Sequence, residues 1–304
     1  MMRVTGMMQN TQLLKNLRNT NMGISDWQNK LATGQRIHRP GDDPVGIGYL
    51  LRYNTELSRS DEFLENARTA TGWLNTMDSL MQQANNVLQR ARVLTQQAST
   101  GTTPEDARKQ IAAEIAQLKE QMVTIGNSSY NGRFMFNGQK TDSEPYTNSD
   151  AAYQTTDDGV YFLNVSASVS VPVSITGEKI FGSAGQAGPP PVPGNNVFQV
   201  LDDIVQHLQN NDANALMADL DLIDQAADRI SFISAETGAR TNRFALVEER
   251  ILDEQISIKT LRSKVGDVDM SEAIIELQLK ENVLQASLAT GAKIMQASLV
   301  DFLR

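Results

Sequence analysis

The sequence contains no cysteine. Disulfide frameworks and thiolate metal sites are therefore excluded. Only two histidines occur, His38 and His207, and neither has a second histidine at ligand spacing, so no zinc-type constellation exists. Aromatic residues make up 6% of the chain against 40% hydrophobic residues in all. That balance suits helices built on Leu, Ile, Met and Ala better than a β-sandwich. No run of about 18 apolar residues occurs, so no membrane insertion is expected. Positive charge is also short: the formal net charge is -9 and the pI about 4.9. Nucleic acid is a poor partner for such a protein, because phosphates are held by clustered Lys and Arg. The opening MMRVTGMMQNTQLLKNL is polar and does not read as a secretory signal peptide.

Catalytic motifs are missing as well. There is no G-x-S-x-G elbow and no P-loop, and Gly46 and Gly48 do not complete a dinucleotide fingerprint. Neither an enzyme nor a cofactor is expected.

What is present is helical periodicity. Met7, Asn10, Leu14, Leu17, Asn21, Ile24, Gln28 and Leu31 follow three-four spacing, a coiled-coil seam weakened by amides. A stronger seam runs through Phe63, Ala67, Ala70, Leu74, Met77, Met81, Ala84, Leu88, Ala91, Thr95 and Ala98, a helix of about 54 Å. Thr103 is the expected N-cap of the next helix, with Pro104 at its first position. Ile111, Ile115, Leu118, Met122 and Ile125 line one face of that helix, which should run antiparallel to the one before it.

Periodicity then changes. NSSYNGRFMFNGQ reads as a short strand between turns, and YQTTDDGVYFLNV carries a DG hairpin signal. SVSVPVSIT alternates, with Pro172 pushing it to a sheet edge. The stretch Gly182 to Gly194 is a Gly/Pro spacer, with Pro190 and Pro193 as a weak polyproline signal. Helical pattern resumes at Val197 and continues to a phase break at Gly266 to Asp269. Beyond it a second terminal seam follows Met270, Ile274, Leu277, Glu281, Leu284, Leu288, Gly291, Met295, Ser298 and Phe302.

The expected fold is therefore mainly α with a small β insert, in which long antiparallel coiled-coil helices come from the N- and C-terminal segments. Residues 1–40 and 268–304 should form terminal core segments. Residues 41–130 and 196–267 should form a helical rod, and residues 131–195 a β-rich insert. The segment LATGQRIHRPGDDPVG joins the first terminal helix to the rod, and KVGDVDMSE joins the rod to the last. In the first joint, Asp42 and Asp43 suit a helix N-cap before Pro44 better than a catalytic pair. The terminal seams have nothing nearby in sequence to bury them. They must pair with each other, with other copies, or both, driven by apolar burial at about 25 cal/mol per Å².

MRVTGMM at the start, the joint with its TGQRIHRPGDDP core, SYNGRFMFNGQKT, and the ending SEAIIELQLKENVLQASLATGAKIMQASLVDFL together resemble the flagellin superfamily. Within it they look like the FlgL family, hook-associated protein 3 of the hook–filament junction. Gly41 stands where that family more often has a small hydroxyl residue.

The resemblance implies a structural subunit without catalysis: an adapter ring between hook-associated protein 1 and the flagellin filament, located outside the cell. It implies export through the flagellar type III apparatus after binding to a FlgN-type chaperone. At the first joint Ile37, Pro40 and Pro44 are expected to fix the angle between core and rod, and the charged Arg36, Arg39, Asp42 and Asp43 to make polar contacts to neighbouring subunits, with Gly34 a further joint candidate. The assembly seam would comprise Leu14, Leu17, Ile24, Leu31, Met270, Ile274, Leu277, Leu284, Leu288, Met295 and Phe302. Two other readings stay open: a minor flagellin of the filament itself, and a secreted coiled-coil adhesin with a β head.

Overall fold

The computed structural model describes residues 6–100, 103–147, 150–185 and 194–302. The Pro190 and Pro193 signal lies outside the described residues, as do the side chains of Met7, Met295 and Phe302. Among the described residues the elements follow in the order α1 (Gly6–Thr33), α2 (Pro44–Ser99), α3 (Glu105–Gly126), β1 (Ser129–Tyr130), β2 (Arg133–Phe134), β3 (Phe162–Ser166), β4 (Val169–Pro172), α4 (Gly177–Phe181), α5 (Val197–Gln209), α6 (Ala213–Gly266) and α7 (Met270–Phe302). Among the described residues no helix is long and apolar enough to cross a membrane. The protein divides into two compact units: residues 1–59 with 254–304, and residues 60–253. The division falls inside α2 and α6.

The second unit contains the hydrophobic core. The α2 seam is buried from Ala67 to Ala98, as its spacing predicts, with Phe63 half-buried at its start. Polar contacts fix α6 antiparallel to α2. Arg68 meets Glu248 at 2.9 Å, Ser234 donates to Asp78, and Arg92 meets Asp224 at 2.6 Å. The two ion pairs are solvent-accessible and worth about 0–1 kcal/mol each, so they set register more than stability. Helix α3 runs back along α2, with Arg90 bonded to Glu114. It starts one residue later than its sequence suggests. Pro104 occupies the N-cap position, while Thr103 bonds back to the Gln97 carbonyl.

The insert is less β-rich than its alternation suggests. Among its described residues are two separate two-stranded antiparallel sheets, β1–β2 and β3–β4. The DG pair at Asp158–Gly159 is not a hairpin turn. The Asp157 carboxylate accepts from the Gly159 and Gln139 backbone N–H groups and ties this stretch to the segment after β2. The real turn is Ala167–Ser168, between β3 and β4. An aromatic cluster replaces the missing sheet. Phe136, Tyr146, Phe181 and Phe198 pack with centroids 4.6 to 5.8 Å apart, mostly edge-on or tilted. Burial there pushes the Tyr146 hydroxyl well above its ordinary pKa.

The first unit pairs α1 with α7. Leu13 meets Gly291, Gly23 meets Lys280, and Gly34 bonds to Val268, so the two helices run antiparallel.

Candidate functional site

The first joint begins where α1 stops. Gly34 adopts φ +71, a left-handed conformation that glycine takes without a Cβ penalty, and its N–H closes the helix on the Lys30 carbonyl at 2.8 Å. The backbone then runs beside the second joint. Gln35 forms an antiparallel bridge with Asp267, Arg36 N–H donates to the Gly266 carbonyl at 2.7 Å, and Val268 N–H donates to Gly34 at 3.0 Å. The two punctuated segments are thus one hydrogen-bonded structure.

Arg36 is its centre. Its Nε and Nη2 donate to the Val265 carbonyl at 3.2 and 2.8 Å, and Nη2 also donates to Asp43 at 3.2 Å. Val265 lies in the last turn of α6, where carbonyls lack intrahelical partners and a cation is favourable. The two aspartates have separate tasks. Asp43 Oδ1 accepts from Gly46 N–H at 2.8 Å and caps α2 ahead of Pro44, the role its sequence context predicts. Asp42 Oδ2 accepts from the His38 and Arg39 N–H groups at 3.0 and 2.9 Å and closes the turn around Pro40. These backbone donors hold both carboxyls below the ordinary value of 3.8, with Arg36 adding to the effect on Asp43.

Packing completes the joint. Ile37 is its buried anchor. A Cβ on Gly46 would lie 2.5 Å from Asp43 Oδ2 and 2.6 Å from Ile37 Cδ1, so the start of α2 passes close over both side chains. Pro40 and Pro44 are exposed. Arg39 is exposed and, among the described residues, its guanidinium has no hydrogen-bond or ion-pair partner; it lines a groove of about 510 Å³ with Met22, Asn29 and His38. Of the four charges placed at this joint, three are therefore used internally and one is free.

The terminal seams are split. Leu17, Ile24, Leu31, Leu277 and Leu284 are half-buried, whereas Leu14, Met270, Ile274 and Leu288 are exposed. The half-buried strip on α1 runs Leu13, Leu17, Thr20, Ile24, Trp27 and Leu31. On α7 the covered strip runs Ala273, Leu277, Lys280, Leu284, Ser287 and Gly291. Half of each expected seam is thus rotated by one residue. Small residues occupy the contact: a Cβ on Gly291 would lie 2.7 Å from Leu13 Cδ2. Left in water are Leu14, Ile274, Ile275, Leu279, Val283 and Leu288.

Val265, Gly266, Asp267 and Asp269 lie in the segment expected to be the second joint, but their pairing with the first joint and the Asp269 cap were not foreseen. Asp269 Oδ1 accepts from the Ser271 and Glu272 N–H groups at 2.8 and 3.2 Å. The pattern Asp269-Met-Ser-Glu272 was a legible capping signal. Among the described residues no cluster of three or more His, Asp or Glu could hold a metal ion.

The chain is similar to known proteins in sequence and in fold. The bacterial flagellin N-terminal helical region matches residues 4–141, and the bacterial flagellin C-terminal helical region matches residues 220–303. The protein is 24% identical to flagellar hook-associated protein 3 of Escherichia coli, over 94% of this chain and 95% of that protein. It is also 24% identical to a flagellin of Listeria innocua, over 90% of this chain and 88% of that one. The fold matches the crystal structure of flagellar hook-associated protein-3 from Legionella pneumophila with a TM-score of 0.62 at 18% identity, covering 71% of this chain and 98% of that one.

Proposed function

The chain belongs to the bacterial flagellin family, and from that premise we propose that it is a junction adapter, forming a ring between hook-associated protein 1 and the flagellin filament. It is a structural component of the flagellum, and the role proposed for it is assembly without catalysis. One observation carries the reading. The α1–α7 pair leaves Ile275, Leu279, Val283 and Leu288 in water although the helices are already paired. Copies arranged around a ring would bury these side chains, and at about 25 cal/mol per Å² that burial is the driving term for assembly. Before export the same residues of α7 would be the surface that a FlgN-type chaperone covers. The type III export apparatus would then deliver the protein to the outside of the cell.

The joint supplies the polar part of the contact. Arg36 and Asp43 are bonded to each other within the joint, so Arg39 is the residue left for a neighbouring subunit. Arg39→Glu should abolish ring assembly while changing monomer stability by no more than about 0.5 kcal/mol, the usual range for exposed sites. Ring assembly by that variant at wild-type level would remove the contact role.

The second reading, a minor flagellin, is favoured by the equal identity to the Listeria innocua flagellin. Deletion of the gene separates the two. Bare hooks with flagellin lost to the medium are expected of an adapter. Normal filaments on the deletion strain would reject it.

A further inference from the structure

The insert contains two Asn-Gly dipeptides in opposite surroundings. Asn131-Gly132 forms the two-residue turn between β1 and β2, with φ of 51 and 76. Positive φ at both central residues is the type I′ geometry that Asn-Gly favours. Both residues are exposed, and a Cβ built on Gly132 meets nothing within 4 Å. Among the described residues the Asn131 side-chain amide has no hydrogen-bond partner. Asn137, by contrast, is buried. Its Nδ2 donates to the Ser143 carbonyl and hydroxyl at 3.1 and 3.2 Å, and its Oδ1 accepts from Asp157 N–H at 3.2 Å. The adjoining Gly138 is walled in by the Asp157 and Gly159 carbonyls.

We propose that Asn131 is a site of spontaneous covalent modification, converting through a cyclic imide to aspartate and isoaspartate, and that the fold protects Asn137 from the same reaction. The Gly132 backbone nitrogen loses its proton to solvent base and attacks Asn131 Cγ. A new bond forms between that nitrogen and Cγ, the bond from Cγ to Nδ2 breaks, and Nδ2 leaves as ammonia. Water then adds to either imide carbonyl and opens the ring to a carboxylate. No electron transfer is involved, and water is the only co-reactant. The missing Cβ at Gly132 and the open space around it are what allow the ring to close. At Asn137 closure first requires three hydrogen bonds to break and Gly138 to move against two carbonyls, so it needs local unfolding.

The consequence reaches beyond the turn. Isoaspartate adds a methylene to the main chain between two strands whose register depends on a two-residue loop. Next to that loop, Tyr130 packs edge-on against Trp73 of α2 at 5.8 Å, and Arg133 lies over Tyr161. The modification therefore loosens the contact between the first hairpin and α2.

The test uses the full-length folded protein, incubated in mildly alkaline buffer beside a sample in concentrated urea. Cleavage after Lys119, Arg133 and Lys140 separates the two dipeptides into peptides 120–133 and 134–140. In the folded sample, peptide 120–133 should acquire the acid form at least about tenfold faster than peptide 134–140, a factor that about 1.4 kcal/mol of local opening already supplies. Fragment masses should place the new acid at Asn131 rather than Asn127. In urea the two peptides should convert at comparable rates, and Asn131→Gln should remove conversion of the first. Equal rates in the folded protein, or no conversion at Asn131 while the urea sample converts, would overturn the proposal.

Discussion

Residues 60–253 bury a continuous core that includes Leu74, Met77, Met81, Leu88, Phe136 and Phe198. In residues 1–59 and 254–304 the buried hydrophobics are Ile37, Leu57, Ile258 and Ala273 among the described side chains. Both units are built from long helices of similar composition. The difference lies in how many faces each helix covers: in the larger unit α2 meets α3, α6 and the insert, while in the smaller one α1 and α7 have mainly each other. Two paired helices shield one strip apiece and leave the rest in water. The smaller unit is thus stable enough to define a joint but incomplete as a core, a condition suited to a segment that finishes folding against other copies.

Truncating one side chain in each unit should give opposite results. Phe198→Ala should cost about 3–5 kcal/mol of unfolding free energy, because a fully buried ring leaves a cavity in the aromatic cluster. Ile275→Ser should leave monomer stability within about 0.5 kcal/mol, because Ile275 is 65% exposed, yet it should abolish assembly. Denaturant titration and sedimentation of the two variants give both readouts. A large stability loss from Ile275→Ser would mean that the exposed face is already covered in the monomer.

A smaller effect is expected at the contact that the smaller unit does make. Gly291→Leu places a side chain where even a Cβ would lie 2.7 Å from Leu13 Cδ2. Overpacking of this kind costs about 1–3 kcal/mol. The loss should appear in hydrogen exchange of α1 and α7 amides, with the amides around Leu88 unchanged. Uniform loss of protection would show that the two units unfold as one.

How much of this was legible follows from which forces are local. The Asp43 cap, the break between α6 and α7 and the α2 seam were readable because a cap needs one short side chain and a buried face needs only its period. The rotation of the α1 strip was not. Leu13 and Leu14 are both apolar, so spacing alone cannot choose between them; the close approach of Gly291 to Leu13 does. The bridge between Gln35 and Asp267 was also invisible, since nothing in either segment specifies a partner so distant in sequence. Asp158–Gly159 misled for a different reason: the Asp157 side chain took the Gly159 N–H and, with the distant Gln139 N–H, tied this stretch to the segment after β2 instead. At the joint, charge alone suggested four contacts to neighbours. The fold commits Arg36, Asp42 and Asp43 internally, through backbone groups that carry no charge signal in the sequence.

The smallest expected effect separates the units by the sign of their response to pH. Asp42 and Asp43 are held below 3.8 by backbone donors, so the folded joint binds protons less readily than the unfolded protein. Their contribution to stability is present above that value and is lost as pH falls through the lowered values. In the larger unit the order is reversed. Burial raises Asp203 and Asp219, helped at Asp203 by the charge of Asp219 and opposed at Asp219 by its 2.7 Å contact with His207. A raised carboxyl favours folding at low pH, and that contribution is lost as pH rises through the raised value. Acidification from neutrality should therefore strengthen protection around Asp219 before it weakens protection around Gly46. Asp43→Asn should flatten the acid loss in the smaller unit, and Asp219→Asn should flatten the opposite slope in the larger one. Hydrogen exchange corrected for the intrinsic pH dependence measures both. Parallel slopes in the two units would mean that the joint carboxylates and the buried pair do not govern the acid response.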